Sequence, residues 1–318
     1  MLTAEQRKRH LRNLDLLRPA GDHDYEAQTR TAVRQVWEEG SQPEAIAIRS
    51  GFIVRETRLP GAMSDKDPVP AAVDRPPLAR LVAPRGVALR LELIALFVAQ
   101  CGRGRSSVAN TAVDPAEGVG WRHLVLGPST STPGSLAAAT QKDNRVRQIK
   151  TAFDKLATAE IGLMELPGAG QPSGRYAAPR LLVENGTRST GTAARYRQPQ
   201  PGASVVTVPA NVFLNGWMHV LDDAEIAAWL MFRHRTQLGI RVLDGEDRLA
   251  LYTLRMPTWR KHRTLDAYGL MEVQADPNRR DDGTIDDRPA HGDGLLHRFA
   301  MTDGGLDNLA LDIVRATL

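Results

Sequence analysis

The residues of this chain that could do chemistry are mostly basic, and the densest set lies on a predicted helix over residues 144–156. At about 100° per residue, an apolar stripe is formed by Val146, Ile149, Phe153 and Leu156. The opposite face carries the polar residues Asn144, Arg147, Gln148, Thr151 and Lys155. Arg can pair with guanine edges and Asn or Gln with adenine edges, whereas Thr151 and Lys155 could hold phosphates. This face could therefore read a DNA duplex, and an ordinary solvated helix face is the alternative.

Two further basic residues, Arg145 and Lys150, flank the apolar stripe and are also candidate DNA contacts. A long side chain at such a position can bury its stem and keep its charge in water. On the polar face only Asp154, at its margin, is acidic. The low acidity favours a polyanionic partner for this helix.

A second candidate reading helix is predicted over residues 257–267, and it begins with a proline that suits a first helical turn. The residues expected to point inward are Trp259, His262 and Leu265. The candidate DNA contacts are Thr258, Arg260, Lys261, Arg263 and Thr264. His262 fits a packed or capping histidine better than a catalytic one.

Each basic helix is followed by a loop whose arginines could contact phosphate. The first loop is short and offers Arg175 and Arg180. The second, over residues 274–294, offers Arg279, Arg280 and Arg288, but it also contains Asp281, Asp282, Asp286 and Asp287. Since these carboxylates would repel a phosphate backbone, the loop either stays clear of DNA or uses only its arginines.

Few motifs in the sequence indicate catalysis. Asp22-His23-Asp24 could suggest a metal site, but Asp24 stands where a helix cap is expected. The aspartates of residues 281–287 lack a calcium-loop pattern, and no phosphate-binding GxxxxGK[ST] motif occurs. We therefore predict a protein that is not an enzyme and needs no metal or cofactor. An enzyme that uses the acidic loop and a metal is the alternative.

Composition is that of a folded protein with a mild basic excess. The 318 residues carry a net charge of +4, and the single cysteine, Cys101, excludes an internal disulfide and a cysteine-based zinc cluster. The longest apolar run, residues 91–101, is shorter than the ~20 residues of a membrane span, and the charged start does not resemble a signal peptide. These features predict a cytoplasmic, nucleoid-associated protein that does not enter a membrane.

The remaining predicted elements frame the two basic helices. Residues 1–50 are predicted to be helical, with a second helix that is capped by Asp24 and ends at Gly40. Further helices are predicted over residues 85–100, 223–234 and 247–254, and the other predicted caps are Thr3 with Gln6 and Asp222 with Glu225. Short strands are predicted at residues 162–166, 176–183, 205–208, 270–273 and 295–301. Proline-rich or glycine-rich linkers are predicted at residues 56–80 and 186–203.

A four-residue recurrence is the most specific feature of the sequence. Gly162-Leu-Met-Glu165 reappears as Gly269-Leu-Met-Glu272, each time after a basic amphipathic helix and before a polar loop and a second apolar strand. The order of helices followed by a hairpin is that of a winged helix. The alternative is a pair of small α+β domains that pack on each other or on another protein.

The segments Val208–Trp217 and Leu221–Ile226 resemble the opening of winged-helix domains in uncharacterised actinobacterial proteins, some from plasmids and integrative elements. The tandem arrangement is similar to that of plasmid replication initiators of the RepA/RepE type. The resemblance implies an α+β, mainly α fold with two winged-helix domains (helix-turn-helix plus β-hairpin) and a helical N-terminal extension. The predicted boundaries are an extension over 1–55, linkers over 56–80 and 186–203, and domains over 81–185 and 204–318.

The resulting expectation is sequence-specific binding of double-stranded DNA through two recognition helices. Replication initiation of a plasmid or integrative element is favoured over transcriptional regulation, and a winged-helix assembly module without DNA binding is the third possibility. Two reading heads in one chain suit asymmetric or directly repeated sites. Residues 1–55 could form a homodimer or dock a host replication or transcription protein.

Overall fold

A computed structural model describes residues 4–17, 24–61, 63–82, 86–102, 112–127, 141–168, 170, 174–186, 188–189, 192–276 and 296–318. Within these ranges the chain is α+β, with helices predominating over small two-stranded antiparallel sheets. No helix of the described residues is both long and apolar enough to cross a lipid bilayer.

The helices are α1 (Ala4–Leu17), α2 (Tyr25–Glu39), α3 (Pro77–Leu81), α4 (Ala88–Cys101), α5 (Trp121–Leu124), α6 (Gln141–Leu156), α7 (Asn211–Leu214), α8 (Trp217–Val220), α9 (Asp223–Gln237), α10 (Gly245–Asp247), α11 (Met256–Trp259), α12 (His262–Ala267) and α13 (Ala310–Thr317). The strands are β1 (Ala45–Arg49), β2 (Met164–Glu165), β3 (Arg180–Leu181), β4 (Arg188–Ser189), β5 (Thr192–Ala193), β6 (Val205–Pro209), β7 (Met271–Gln274) and β8 (Arg298–Met301).

Local sequence signals explain where several helices begin and end. The Asp24 carboxylate accepts from the Ala27 N–H at 3.0 Å and caps α2, which ends at Gly40 as predicted. Asp222 and Glu225 form the predicted capping box at the start of α9. The capping box predicted at residues 3–6 lies outside the described side chains.

The helical prediction for residues 1–50 is wrong at its end, because residues 45–49 form strand β1. Ile46 and Ile48 are buried and alternate with half-buried residues, which is the two-residue period of a strand. Strand β1 pairs antiparallel with β6, and Ala47 lies opposite Thr207 at the centre of the ladder. The N-terminal segment therefore shares a sheet with the second predicted domain.

The outward-facing backbone groups of the two central residues of this small sheet are bound by two glutamines. The Gln100 amide near the end of α4 accepts from the Ala47 N–H at 2.9 Å and donates to the Ala47 carbonyl at 2.8 Å. The Gln237 amide at the end of α9 accepts from the Thr207 N–H at 3.2 Å and donates to the Thr207 carbonyl at 3.1 Å. The two helices thus cap the two edges of the sheet in the same way.

At their other ends, α4 and α9 meet through a buried arginine. Arg90 in the first turn of α4 donates to the Met218 carbonyl at 3.1 Å and to the Leu221 carbonyl at 2.6 Å, and its guanidinium lies 3.6 Å from the Asp223 carboxylate. His219 is buried beside it, and burial together with the Arg90 charge lowers the pKa of His219 to about 3. The first turns of α4 and α9 therefore lie together, as their last turns do at the sheet, and the two helices run in the same direction.

Both Gly-Leu-Met-Glu segments adopt the same backbone turn. Gly162 and Gly269 have φ values of 64° and 69°, a left-handed conformation that favours glycine. The Leu163 carbonyl accepts from the Leu182 N–H at 2.9 Å, and the Leu270 carbonyl accepts from the Thr302 N–H at 3.2 Å. We call β1, α4–α6, β2 and β3 the first repeat, and β6, α9–α12, β7 and β8 the second repeat.

The proline-rich segment predicted as a linker packs along the second repeat. The Arg55 N–H donates to the Leu251 carbonyl at 2.9 Å, and the Leu59 N–H donates to the Ala250 carbonyl at 3.1 Å. Asp65 pairs with Arg248, a side chain that is almost fully buried. These contacts, and a hydrophobic core that continues from Leu14 to Val314, join the predicted extension and domains.

Two predicted helices of the second repeat differ from their observed form. Residues 245–252 form α10 and a following π-helical turn, and the predicted helix over 257–267 is two short helices, α11 and α12, separated by Arg260 and Lys261. Strands β2 and β3 are also shorter than predicted. The linker predicted at 186–203 contains the β4–β5 pair.

Candidate nucleic-acid interface

Helix α6 is positioned by the apolar stripe that the sequence indicates. Ile149, Phe153 and Leu156 are buried, and Phe153 meets Trp121 of α5 edge to face with 5.6 Å between ring centroids. Burying such side chains contributes about 1.5–3 kcal/mol each. The helix is thereby fixed against α4 and α5 with its other face outward.

The outward face contains four of the predicted DNA contacts. Arg147 and Thr151 are exposed, and Gln148 and Lys155 are half-buried. All four line a groove of about 250 Å³ that has an apolar floor of Leu81, Val87, Ala88 and Ala152. The groove presents two cations and two hydrogen-bonding groups, which fits a polyanion with polar base edges.

The opposite wall of this groove includes Asp223, the first residue of α9. Asp223 is buried, and its carboxylate lies 3.6 Å from the Arg90 guanidinium, which compensates much of its charge. The basic face is therefore a cleft between the two repeats and not a fully open helix surface.

Two residues predicted as DNA contacts, one beside the apolar stripe and one on the polar face, are buried instead. Arg145 is buried, and its guanidinium lies 3.6 Å from the centre of the Tyr25 ring. Burial lowers the pKa of Arg145 to about 10, so the group stays charged at neutral pH. Asn144 is also buried, and its side-chain oxygen accepts from Arg147. Asn144 therefore orients Arg147, and Arg145 ties α6 to α2.

Beside α6, the loop that precedes β3 forms a small basic and aromatic cluster. The Asp154 carboxylate accepts from Arg175 at 2.7 and 2.9 Å and from the Tyr176 hydroxyl at 2.8 Å. Arg175 and the Lys150 ammonium each lie 5.7 Å from the centre of the Tyr176 ring. Arg175 and Lys150 thus extend the positive edge of α6, although Asp154 neutralises part of that charge.

Tyr176 has a role that the sequence reading overlooked. Burial and its hydrogen bond to Asp154 raise the pKa of the Tyr176 hydroxyl, so it remains a neutral donor at neutral pH. Its ring contacts both cations of the cluster, Lys150 and Arg175. The available signal was the Arg175-Tyr176 dipeptide, because arginine beside an aromatic residue is common where a protein binds a polyanion.

In the second repeat, Lys261 is turned inward, contrary to the prediction. Its ammonium lies 2.6 Å from Asp222 and 3.0 Å from Glu225, the two capping carboxylates of α9. His10 of α1 also reaches Glu225, at 3.2 Å. Although burial alone would raise the pKa of Glu225, the Lys261 charge and His10 hold it well below its usual value. Lys261 is therefore a structural cation and is not available to DNA.

Two threonines predicted as DNA contacts are buried as well. Thr258 is 5% exposed and Thr264 is fully buried, because the break between α11 and α12 rotates these positions towards the core. Arg260 is exposed and Arg263 is half-buried. The inward positions of Trp259, His262 and Leu265 agree with the prediction, and the His262 ring lies 2.7 Å from the Trp259 carbonyl.

The remaining candidates lie outside the described residues. These are Arg279 and Arg280, with Arg288 and the neighbouring aspartates of the loop between β7 and β8. Arg180, at the first hairpin, lies 3.5 Å from Glu165 across the β2–β3 pair.

No family model, curated protein or solved structure matches this chain.

Proposed function

We propose that this protein binds double-stranded DNA in a sequence-specific manner through two winged-helix units in one chain. The observation that carries the proposal is the repeated turn at Gly162 and Gly269. In each repeat, a helical segment that carries an exposed arginine, Arg147 in α6 and Arg260 between α11 and α12, leads through a left-handed glycine into a β-hairpin. That order of elements is the one expected of a recognition helix followed by a wing, and it supports the proposal.

The first repeat supplies the stronger reading face. Arg147 and Gln148 reach base edges in the major groove, and Lys155, Lys150 and Arg175 neutralise phosphates along the strands. The phosphate contacts set the register, and the base contacts set the sequence. Because the groove holds an apolar floor, it also suits the methyl group of thymine.

The test is the salt dependence of duplex binding by matched variants. Arg147→Ala with Lys155→Ala is expected to weaken binding about tenfold to a hundredfold and to lower the slope of log K against log salt by about 1. The control is Arg34→Ala with Lys66→Ala, which removes the same charge from exposed positions away from this face. Equal binding by the two double variants contradicts the proposal.

The process served is proposed to be replication initiation of a plasmid or integrative element, and transcriptional regulation is the alternative. The tandem arrangement of two reading units supports the first. Sites selected from the DNA of the encoding replicon separate the two: an array of repeated sites at an origin indicates initiation, and single sites at promoters indicate regulation.

A protein-binding role for the second repeat is favoured by one observation. Lys261, Thr258 and Thr264 are turned inward, so Arg260, which is exposed, and Arg263, which is half-buried, are the remaining candidate DNA contacts among the described residues of this segment. Arg260→Ala with Arg263→Ala separates the two roles. Weakened duplex binding assigns the second repeat to DNA, whereas unchanged binding removes Arg260 and Arg263 from the DNA interface and favours the protein-binding role.

A further inference from the structure

We infer that the two repeats are related by an approximate two-fold axis, so that one chain engages a duplex whose two half-sites are inverted with respect to each other. The inference rests on the proposed DNA binding and adds the class of site. It departs from the sequence-based expectation of asymmetric or directly repeated sites.

The first support is the β1–β6 pair. An antiparallel ladder has a local two-fold axis through its centre, and here the centre is the Ala47–Thr207 pair. Each strand is the opening element of its repeat. The local two-fold axis of the sheet is therefore also a candidate axis for the helices and hairpins that follow β1 and β6 in the two repeats.

The second support is the pair of glutamine caps. Rotation by 180° about the Ala47–Thr207 centre exchanges the two residues, and each has its N–H and carbonyl bound by a glutamine amide. Gln100 and Gln237 stand in the last turns of α4 and α9. The equivalence thus extends beyond the strands to the helices.

The third support is the course of α4 and α9. Their C-terminal turns meet the same sheet, and their N-terminal turns meet through Arg90 and Asp223. Helices α4 and α9 have similar lengths and run in the same direction. A two-fold axis parallel to both helices would therefore exchange them. The Gly162 and Gly269 turns then place a hairpin at the same point of each repeat.

The consequence for DNA follows from geometry alone. A half-site has a direction, and rotation by 180° about an axis perpendicular to the duplex reverses it. If both reading helices contact one duplex, their half-sites must therefore run in opposite directions. Since α6 is one long helix and α11–α12 is broken, the two half-sites differ in sequence, and the full site is an imperfect inverted repeat.

The relative direction of the reading helices on DNA is measurable without knowing the sequence. Cys101 is the only cysteine of the chain and is 1% exposed. A thiol-reactive iron chelate that cleaves DNA should therefore label a cysteine introduced at an exposed position and not Cys101. Exposed positions at the two ends of each reading helix are available for Lys142→Cys and Thr158→Cys in the first repeat, and for Pro257→Cys and Asp266→Cys in the second. Each labelled full-length variant is bound to duplexes that the unlabelled chain selects from a random pool.

The order of cleavage along the duplex decides the matter. The order 142, 158, 266, 257, or 158, 142, 257, 266, is expected for inverted half-sites. The order 142, 158, 257, 266, or the order 158, 142, 266, 257, shows direct half-sites and overturns the inference.

Two further outcomes separate this inference from the proposed function. Cleavage from the first repeat alone overturns the two-headed site and leaves DNA binding by α6 in place. Failure of the chain to select any duplex overturns both. The parent chain, treated with the same reagent, is the control and must leave the duplex intact.

Discussion

Replacing Gln100 by Leu tests how strongly the two repeats are joined at their shared sheet. Gln100 is 3% exposed and makes three hydrogen bonds, two to Ala47 and one of 2.9 Å to the Tyr196 hydroxyl. A leucine of similar size fills the space but leaves all three partners unpaired. Each buried unpaired group costs about 1–3 kcal/mol, and Ala47 is partly reached by water. We therefore expect a loss of about 3–5 kcal/mol in the free energy of unfolding.

Gln237→Leu is the matched control, because Gln237 makes the equivalent bonds to Thr207 at an exposed edge. Water replaces a lost partner there, so the expected loss is under ~1 kcal/mol. Both variants are measured by urea unfolding, with the slope against urea checked for constancy so that the midpoints report stability. Equal losses for the two variants, or a loss below ~1 kcal/mol for Gln100→Leu, would refute the reasoning.

Two more outcomes are expected from the charged groups. Lys261→Met removes the ammonium from the buried Glu225 and leaves only His10 beside it among the described ion pairs, so it should lower the free energy of unfolding by about 3–5 kcal/mol. Arg260→Met, at the exposed neighbouring position, should change it by under ~0.5 kcal/mol. Similar losses for the two variants in denaturant unfolding would contradict the importance of the buried pair. The pKa of His219 is lowered to about 3 and that of His234 to about 4, both chiefly by burial, so the folded state binds fewer protons than the unfolded state below about pH 6.5. The free energy of unfolding should therefore fall as pH is lowered from about 6.5 towards 3, by up to ~1.4 kcal/mol per pH unit for each histidine. In His219→Gln, the slope of the free energy of unfolding against pH should be smaller between pH 6.5 and 5. An unchanged slope would contradict the assignment to His219.

Local signals predict the elements that depend on local physics. The cap at Asp24, the capping box at Asp222, and the turns at Gly162 and Gly269 each depend on residues a few positions apart. The apolar stripe of α6 likewise follows from helical periodicity. These features are readable because the interacting groups are neighbours in the chain.

Partners that are distant in the sequence account for the wrong predictions. Strand β1 shows a two-residue alternation over only five residues, and its pairing strand begins at Val205. Helical periodicity leaves Arg145 free to face solvent, but the ring of Tyr25 covers it. Periodicity also points Lys261 outward, and nothing near it indicates that the capping carboxylates of α9 are its partners.

The pairing of β1 with β6 also governs when the protein can fold during synthesis. A ribosome that has released residues up to about 200 has delivered β1, α4 and α6, but not the strand that β1 needs. At ~5–20 residues per second, β1 waits on the order of ten seconds for β6 to be made. During that interval the backbone edge of β1 is exposed on the nascent chain. Truncation after the first repeat makes that exposure permanent, so the two repeats are best produced as one uninterrupted chain.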